Sequence, residues 1–167
     1  PQVAETYGYV YGFYACINEH QLSIGESTFD GKEVMRSDKG MFNLYELTRL
    51  MAERCTTARE AIRLAGELLA KYGYNDAGEC LSIADTKEVW MFEVVGPGQG
   101  KVGAVWAAQR IPDDVQTLAA QCLRAMEAKG CRPRSLRMFR TTIDRFLIGR
   151  RDLPASDIVS ADIHEFL

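Results

Sequence analysis

The sequence predicts an α+β fold over residues 1–114 followed by an all-helical segment over residues 115–167. Three observations carry that expectation. Aromatic and β-branched residues alternate with period two near the start, two capped amphipathic stretches follow, and three further strand-like runs separated by turn residues come after them. Strands, then helices, then strands suit layered α+β packing better than an alternating parallel sheet.

The first run, Gly8 to Ile17, places Tyr9, Tyr11, Phe13, Ala15 and Ile17 on one side and Val10, Gly12, Tyr14 and Cys16 on the other. Apolar residues on both sides predict a single buried strand. A turn at Asn18-Glu19-His20-Gln21 leads to a second strand, Leu22 to Glu26, and polar residues 27–40 read as a loop. Asn43 with Glu46 resembles a capping box ahead of the stripe Leu44, Leu47, Leu50, Met51. Thr57 with Glu60 makes a second capping box ahead of Ala61, Leu64, Ala65, Leu68 and Leu69, and Gly73 stands where a C-terminal cap is expected. Cys80–Ala84, Val89–Val95 and Val102–Gln109 then form a meander, broken at Asp85-Thr86-Lys87 and at Gly96-Pro97-Gly98-Gln99-Gly100.

After Pro112 the character changes. Val115, Leu118, Ala119, Cys122, Leu123 and Met126 mark a helix that should end at Gly130. Pro133 is placed to open another, with Leu136, Phe139, Ile143, Phe146 and Leu147 on one face, and Ser160 could cap a short third.

Composition narrows the function classes. Of the 167 residues 47% are hydrophobic and 26% charged, as in globular domains, and no apolar run is long enough to span a bilayer. Five scattered cysteines with no C-x-x-C pair suggest neither a disulfide framework nor a zinc site, so no metal or other cofactor is expected. Free thiols fit a reducing, cytoplasmic setting. Charge is uneven: residues 1–115 carry 11 Lys and Arg against 17 Asp and Glu, whereas residues 116–167 carry 9 against 6. Such a reversal hints at two units of different origin.

The segments Asn18-Glu19-His20-Gln21-Leu22-Ser23-Ile24-Gly25-Glu26-Ser27, Cys80 to Asp85, Glu88 to Glu93, Gly100 to Val105 and Ala107 to Asp114 resemble the dipeptidase/secernin family of cysteine-type N-terminal-nucleophile hydrolases. The resemblance implies part of an αββα sandwich, two stacked antiparallel sheets covered by helices. It also implies hydrolysis of short unblocked peptides, usually dipeptides, by a cysteine whose own α-amine activates the thiol. That cysteine would lie upstream of Pro1, and Val115-Gln116-Thr117-Leu118 stands where the family has a His-Ala-Asn segment. The expectation is therefore an internal fragment, inactive alone, whose exposed sheet edges favour self-association.

By the same resemblance Asn18 takes the place of an oxyanion-hole asparagine. A plain turn asparagine accounts for the residue equally. Cys16 and His20 invite a cysteine–histidine pairing, but on a continuous strand they would stand about 13 Å apart, so Cys16 reads as a buried strand thiol. His164 reads as a surface residue, and Pro1, which could act as a base only at a true N-terminus, as an interior position.

Lys129 to Arg137, Phe139 to Leu147 and Ile158 to Ile163 resemble the SAM-like core-binding domain of tyrosine recombinases. This resemblance implies a fusion near Asp114–Gln116 and weak contact of Arg134, Arg137 and Arg140 with DNA phosphates. A non-catalytic DNA-binding fragment is thus the alternative to a dipeptidase fragment, and a solvated charged helix face explains the arginines as well.

Overall fold

The computed structural model describes residues 2–12, 15–29, 31–113, 115–130 and 132–146. They divide into two compact units, within Pro1–Arg110 and Ile111–Leu167. The first is built on one six-stranded antiparallel sheet in sequence order: β1 (Tyr9–Tyr11), β2 (Cys16–Asn18), β3 (Ser23–Ser27), β4 (Gly78–Ala84), β5 (Val89–Val95) and β6 (Val105–Arg110). Between β3 and β4 run a turn of 3-10 helix, Glu33–Met35, and the helices α1 (Leu44–Arg54) and α2 (Ala58–Tyr72).

The first strand departs from the sequence reading. Gly8–Ile17 is not one buried strand but a hairpin, with Gly12 N donating to Ala15 O at 2.7 Å and Tyr11 set opposite Cys16. Folding back exchanges the faces. Cys16 and Asn18 now share a side with Tyr9 and Tyr11, while Val10 and Ile17 face away, 72% and 46% exposed. The chain turns back after Gly12, where the alternating aromatics suggested continuity.

Register explains why one face carries the core. Cys16, Ile24 and Ile83 line up across β2, β3 and β4, as do Leu81 and Phe92 across β4 and β5. On this face pack Leu47, Met51, Ala61, Ala65 and Leu69 from α1 and α2. The opposite face presents the exposed Val10, Ile17, Val89 and Val105. The last strand starts at Val105, three residues later than Val102, because Gly103 takes φ 122° and the chain enters the sheet only after it.

The caps follow the sequence closely, with one change. Asn43 and Glu46 form the reciprocal capping box of α1. Thr57 caps α2 by accepting from Glu60 N at 3.3 Å, but the returning Glu60 carboxylate goes to Thr56, taking both its N–H and its hydroxyl. The Thr57–Glu60 box is therefore only half formed, because the neighbouring Thr56 offers Glu60 two donors. Gly73, at φ 77°, ends α2 as expected.

Gln21 is the one non-glycine residue with positive φ among the described residues, at 62°. It occupies the tight β2–β3 turn, where its N–H donates to Asn18 O at 2.9 Å. A side chain in this region costs about 1–2 kcal/mol, partly offset in glycine by chain entropy. Gln21→Gly is therefore expected to stabilise the protein by roughly 0.5–1 kcal/mol. A lower urea midpoint for the variant would refute the strain.

In the second unit, α3 (Val115–Ala128) and α4 (Pro133–Phe146) are joined through Gly130 at φ 68°. The helix expected after Ser160 lies outside the described residues, as do His164 and Pro1. Among the described residues no helix is long and apolar enough to cross a membrane.

Candidate functional site

Asn18 closes β2 and points to the helix-bearing side of the sheet, where it is only 5% exposed. Its amide nitrogen donates to Ala52 O at 2.9 Å and to Cys55 O at 2.8 Å, the carbonyls at the end of α1. Its oxygen accepts from His20 N at 3.0 Å and Leu22 N at 3.1 Å, in the turn that follows. Carbonyls in a helix's last turn have no partner within the helix. Asn18 supplies that partner from another element and shapes its own turn at the same time. Both amide hydrogens are committed in this state, so an oxyanion would have to displace one of the two carbonyls.

Next to Asn18, Cys16 is buried, and its Sγ lies 3.8 Å from Thr48 O. Burial pushes the Cys16 thiol up to about 11. Burial, and then the charge of Glu60, does the same for Cys55. Cys80 is also raised, by burial first. A nucleophilic thiol needs the reverse shift. His20 is turned away from Cys16, with its ring edge-on to Tyr7 at 4.4 Å between centroids. Cys16 and His20 form no couple, and Cys16 is a buried strand thiol, as the sequence suggested. Among the described residues no cluster of His, Cys, Asp and Glu is arranged to hold a metal.

Around this corner the surface is open and polar. A cleft of about 480 Å³ beside the turn is lined by Tyr7, Glu19, His20, Glu53 and Arg54, among others. Arg49 ties its rim, donating to the Tyr9 hydroxyl at 3.3 Å and pairing with Glu53 at 3.4 Å.

The same sheet face holds a second group that the sequence reading missed. Glu26 lies opposite Leu81 and Glu79 lies two residues before it, so both carboxylates project to the helix side. With Asp76 they line a cavity of about 380 Å³ beside the amino end of α1. Burial first, and then the Glu26 charge, raises the Glu79 carboxyl to about 7. The alternation Ile24-Gly25-Glu26 and Glu79-Cys80-Leu81 contained the signal, since each acid keeps the parity of a core residue.

Arg134, Arg137 and Arg140 are exposed on α4, and Arg140 sits 3.6 Å from Glu127 of α3. An exposed pair of this kind contributes little stability.

The pattern of Peptidase family C69 matches residues 3–136. That span runs past residue 114, through α3 and into the first turn of α4. The chain is 34% identical over 109 residues to "Probable dipeptidase" of Latilactobacillus sakei, covering 62% of this chain and 22% of that protein. It is 36% identical over 85 residues to "Probable dipeptidase B" of Lactococcus lactis subsp. lactis (strain IL1403), covering 50% of this chain and 16% of that protein. The chain therefore matches about a fifth of the length of these curated relatives.

Proposed function

The chain belongs to peptidase family C69, and from that premise we propose that it carries part of the substrate-binding framework of a cysteine-type dipeptidase acting on short unblocked peptides. The observation that carries this reading is the family match over residues 3–136, which takes in the whole sheet with α1, α2 and α3. The dipeptidase names of the two relatives support the substrate class. Cys16, Cys55 and Cys80 are buried with raised pKa values, so the nucleophile of this reading is none of them. In this reading it is an N-terminal cysteine outside these strands and helices, and the exposed Cys122 of α3 is the one described thiol that burial does not exclude.

The uncovered sheet face supports an αββα arrangement. Val10, Ile17, Val89 and Val105 form an apolar surface suited to a second sheet stacked about 10 Å away. In the same reading Asn18 gives up a carbonyl and donates to the oxyanion, a contact whose loss costs ~2.7–4 kcal/mol in enzymes that depend on it. Left open, the β1 and β6 edges and this face would promote self-association.

A second reading rests on the exposed arginines of α4, which as DNA-contact residues would make the chain a DNA-binding fragment. The family span weighs against it, because it covers α3 and reaches residue 136.

Two preparations test both. The purified chain is expected to show no alkylation-sensitive turnover of unblocked dipeptides. Exchanged for the matching segment of the Latilactobacillus sakei protein, it is expected to support such turnover. A folded exchange protein without dipeptide hydrolysis would sink the dipeptidase reading, provided the parent is active. Turnover by the chain alone would put the nucleophile inside it. Tight duplex-DNA binding that weakens steeply with salt would favour the second reading.

A further inference from the structure

β6 is the last strand of the sheet, so one of its sides is open. Which backbone groups point there follows from the ladder. Asp85 N donates to Glu88 O at 3.0 Å and Gly96 N to Ala77 O at 3.4 Å, which marks the hydrogen-bonded pairs of the β4–β5 register. Hydrogen-bonded and non-hydrogen-bonded pairs alternate along an antiparallel ladder. Ile83–Trp90, Leu81–Phe92 and Glu79–Val94 are then the pairs that bond between β4 and β5. Met91, Glu93 and Val95 turn their backbone groups the other way, to Gln109, Ala107 and Val105 of β6. Trp106, Ala108 and Arg110 therefore direct theirs to the open side. No described residue takes the N–H or C=O of Trp106 or Ala108. Natural edges are commonly blocked by proline, lysine or a bulge. β6 contains no proline or lysine, pairs with β5 without a bulge, and is mostly exposed. β1, at the opposite edge, is only three residues long.

We propose that β6 pairs antiparallel with β6 of a second copy of this chain, about a two-fold axis through Ala108, joining two sheets into one. This pairing assigns the self-association of the open surfaces to one edge, and it does not depend on the dipeptidase reading. The register about Ala108 uses every outward group of the strand. Ala108 bonds to its own copy, and Trp106 of each chain bonds to Arg110 of the other, giving about six backbone hydrogen bonds. An axis through Ala107 would form only the Trp106–Ala108 pairs within the strand.

The side chains suit the same register. Residues directly opposed across an antiparallel pair share a face. Trp106 and Arg110 meet on the helix side, Ala107 and Gln109 on the other, and no like charges are opposed. Both members of the first pair are already held in place. The Trp106 ring stacks on Phe92 at 5.3 Å between centroids, and a Cβ at Gly66 would stand 2.7 Å from its Cζ2. Arg110 donates to Glu88 at 3.1 Å. Trp106 still stays 41% exposed, which leaves indole surface for the guanidinium of the second copy.

The test is made on the whole 167-residue chain. Sedimentation equilibrium between about 1 and 100 μM gives the mass, and amide hydrogen exchange at both ends of that range locates the contact. The expected result is a monomer–dimer equilibrium in which the Trp106 and Ala108 amides are protected only in the dimer. Those of Ala107 and Gln109, bonded to β5, should be protected at both concentrations. Ala108→Pro removes the central donor without touching the β5 ladder, and should weaken the dimer about tenfold or more. Ile17→Ser, on the uncovered sheet face, should leave the dimer unchanged. If Ala108→Pro does not fold, exchange in the parent protein decides alone. A chain that stays monomeric throughout, or a dimer whose Ala108 amide exchanges as freely as in the monomer, would overturn the pairing. So would a dimer that survives Ala108→Pro and is lost in Ile17→Ser, which would move the contact to the sheet face. Protection of Ala108 in monomeric protein would put a strand of the same chain on this edge, and would overturn it equally. None of these measurements reads turnover, so failure here is distinct from failure of the dipeptidase reading.

Discussion

Replacing Asn18 by alanine is expected to destabilise the protein by about 3–5 kcal/mol, a fall of roughly 10 °C or more in Tm. The size follows from counting what is stranded. Ala52 O and Cys55 O at the end of α1 lose their donor, and His20 N and Leu22 N lose their acceptor. The Asn18 side chain is buried, so water cannot readily replace it. Net hydrogen bonds contribute about 1 kcal/mol each, and stranded buried groups cost more. Asn18→Asp should be as damaging, since a carboxylate would then face two carbonyl oxygens.

Thermal unfolding followed by circular dichroism decides between the two roles of Asn18. An asparagine that serves only an oxyanion would leave Tm within about 2 °C of the parent, because a surface-like substitution changes stability by less than ~0.5 kcal/mol. In the exchange protein the roles separate again. The tether predicts loss of stability, while the oxyanion donor predicts loss of kcat in protein that is still folded below its Tm.

How far the sequence reached can be followed residue by residue. Helix starts were legible because their chemistry is local: Asn43 with Glu46, and Thr57 at the head of α2, each act within four residues. The strand Val89–Val95 was legible for a similar reason, since Asp85 closes the preceding turn by accepting from Lys87 N and Glu88 N. Phe13 and Tyr14 hid the first hairpin by continuing the alternation across Gly12, and only pairing with β3 shows which side of Ile17 meets the core. A tertiary cap such as Asn18 on α1 joins residues 34 and 37 positions apart, beyond any local pattern. Glu26 and Glu79 were overlooked because a charge in an alternating strand is normally read as facing solvent, whereas their parity with Ile24 and Leu81 puts them on the core side.

Glu79→Gln is expected to stabilise the protein by about 2 kcal/mol at pH 8 and to leave it unchanged near pH 4.5, which fixes the sign of the Glu79 contribution. In the folded protein burial, and then the neighbouring Glu26 charge, hold the Glu79 carboxyl near 7, against an ordinary value of 4.5. The folded state therefore keeps a proton that the unfolded chain releases. Between those two pH values the unfolded state binds fewer protons, so stability falls as pH rises and the penalty is complete above about 7. The full shift would correspond to roughly 3 kcal/mol, and partial solvent access reduces it to about 2. Glutamine is neutral throughout and removes the slope. Other carboxylates act elsewhere on the pH axis. Glu88 is held low chiefly by Arg59, and Glu60 by the Thr56 N–H, so their stabilisation is lost only as pH falls below the ordinary carboxylate range. The Glu26 charge is the second cause of the raised Glu79 carboxyl, so Glu26→Gln should act in the same direction. Urea unfolding at pH 5, 6, 7 and 8 gives the answer. Parent and Glu79→Gln midpoints that run parallel across this range would mean that Glu79 is ionised at no cost in the fold, whereas divergence above pH 5 would mean that burial and the Glu26 charge make its ionisation costly there.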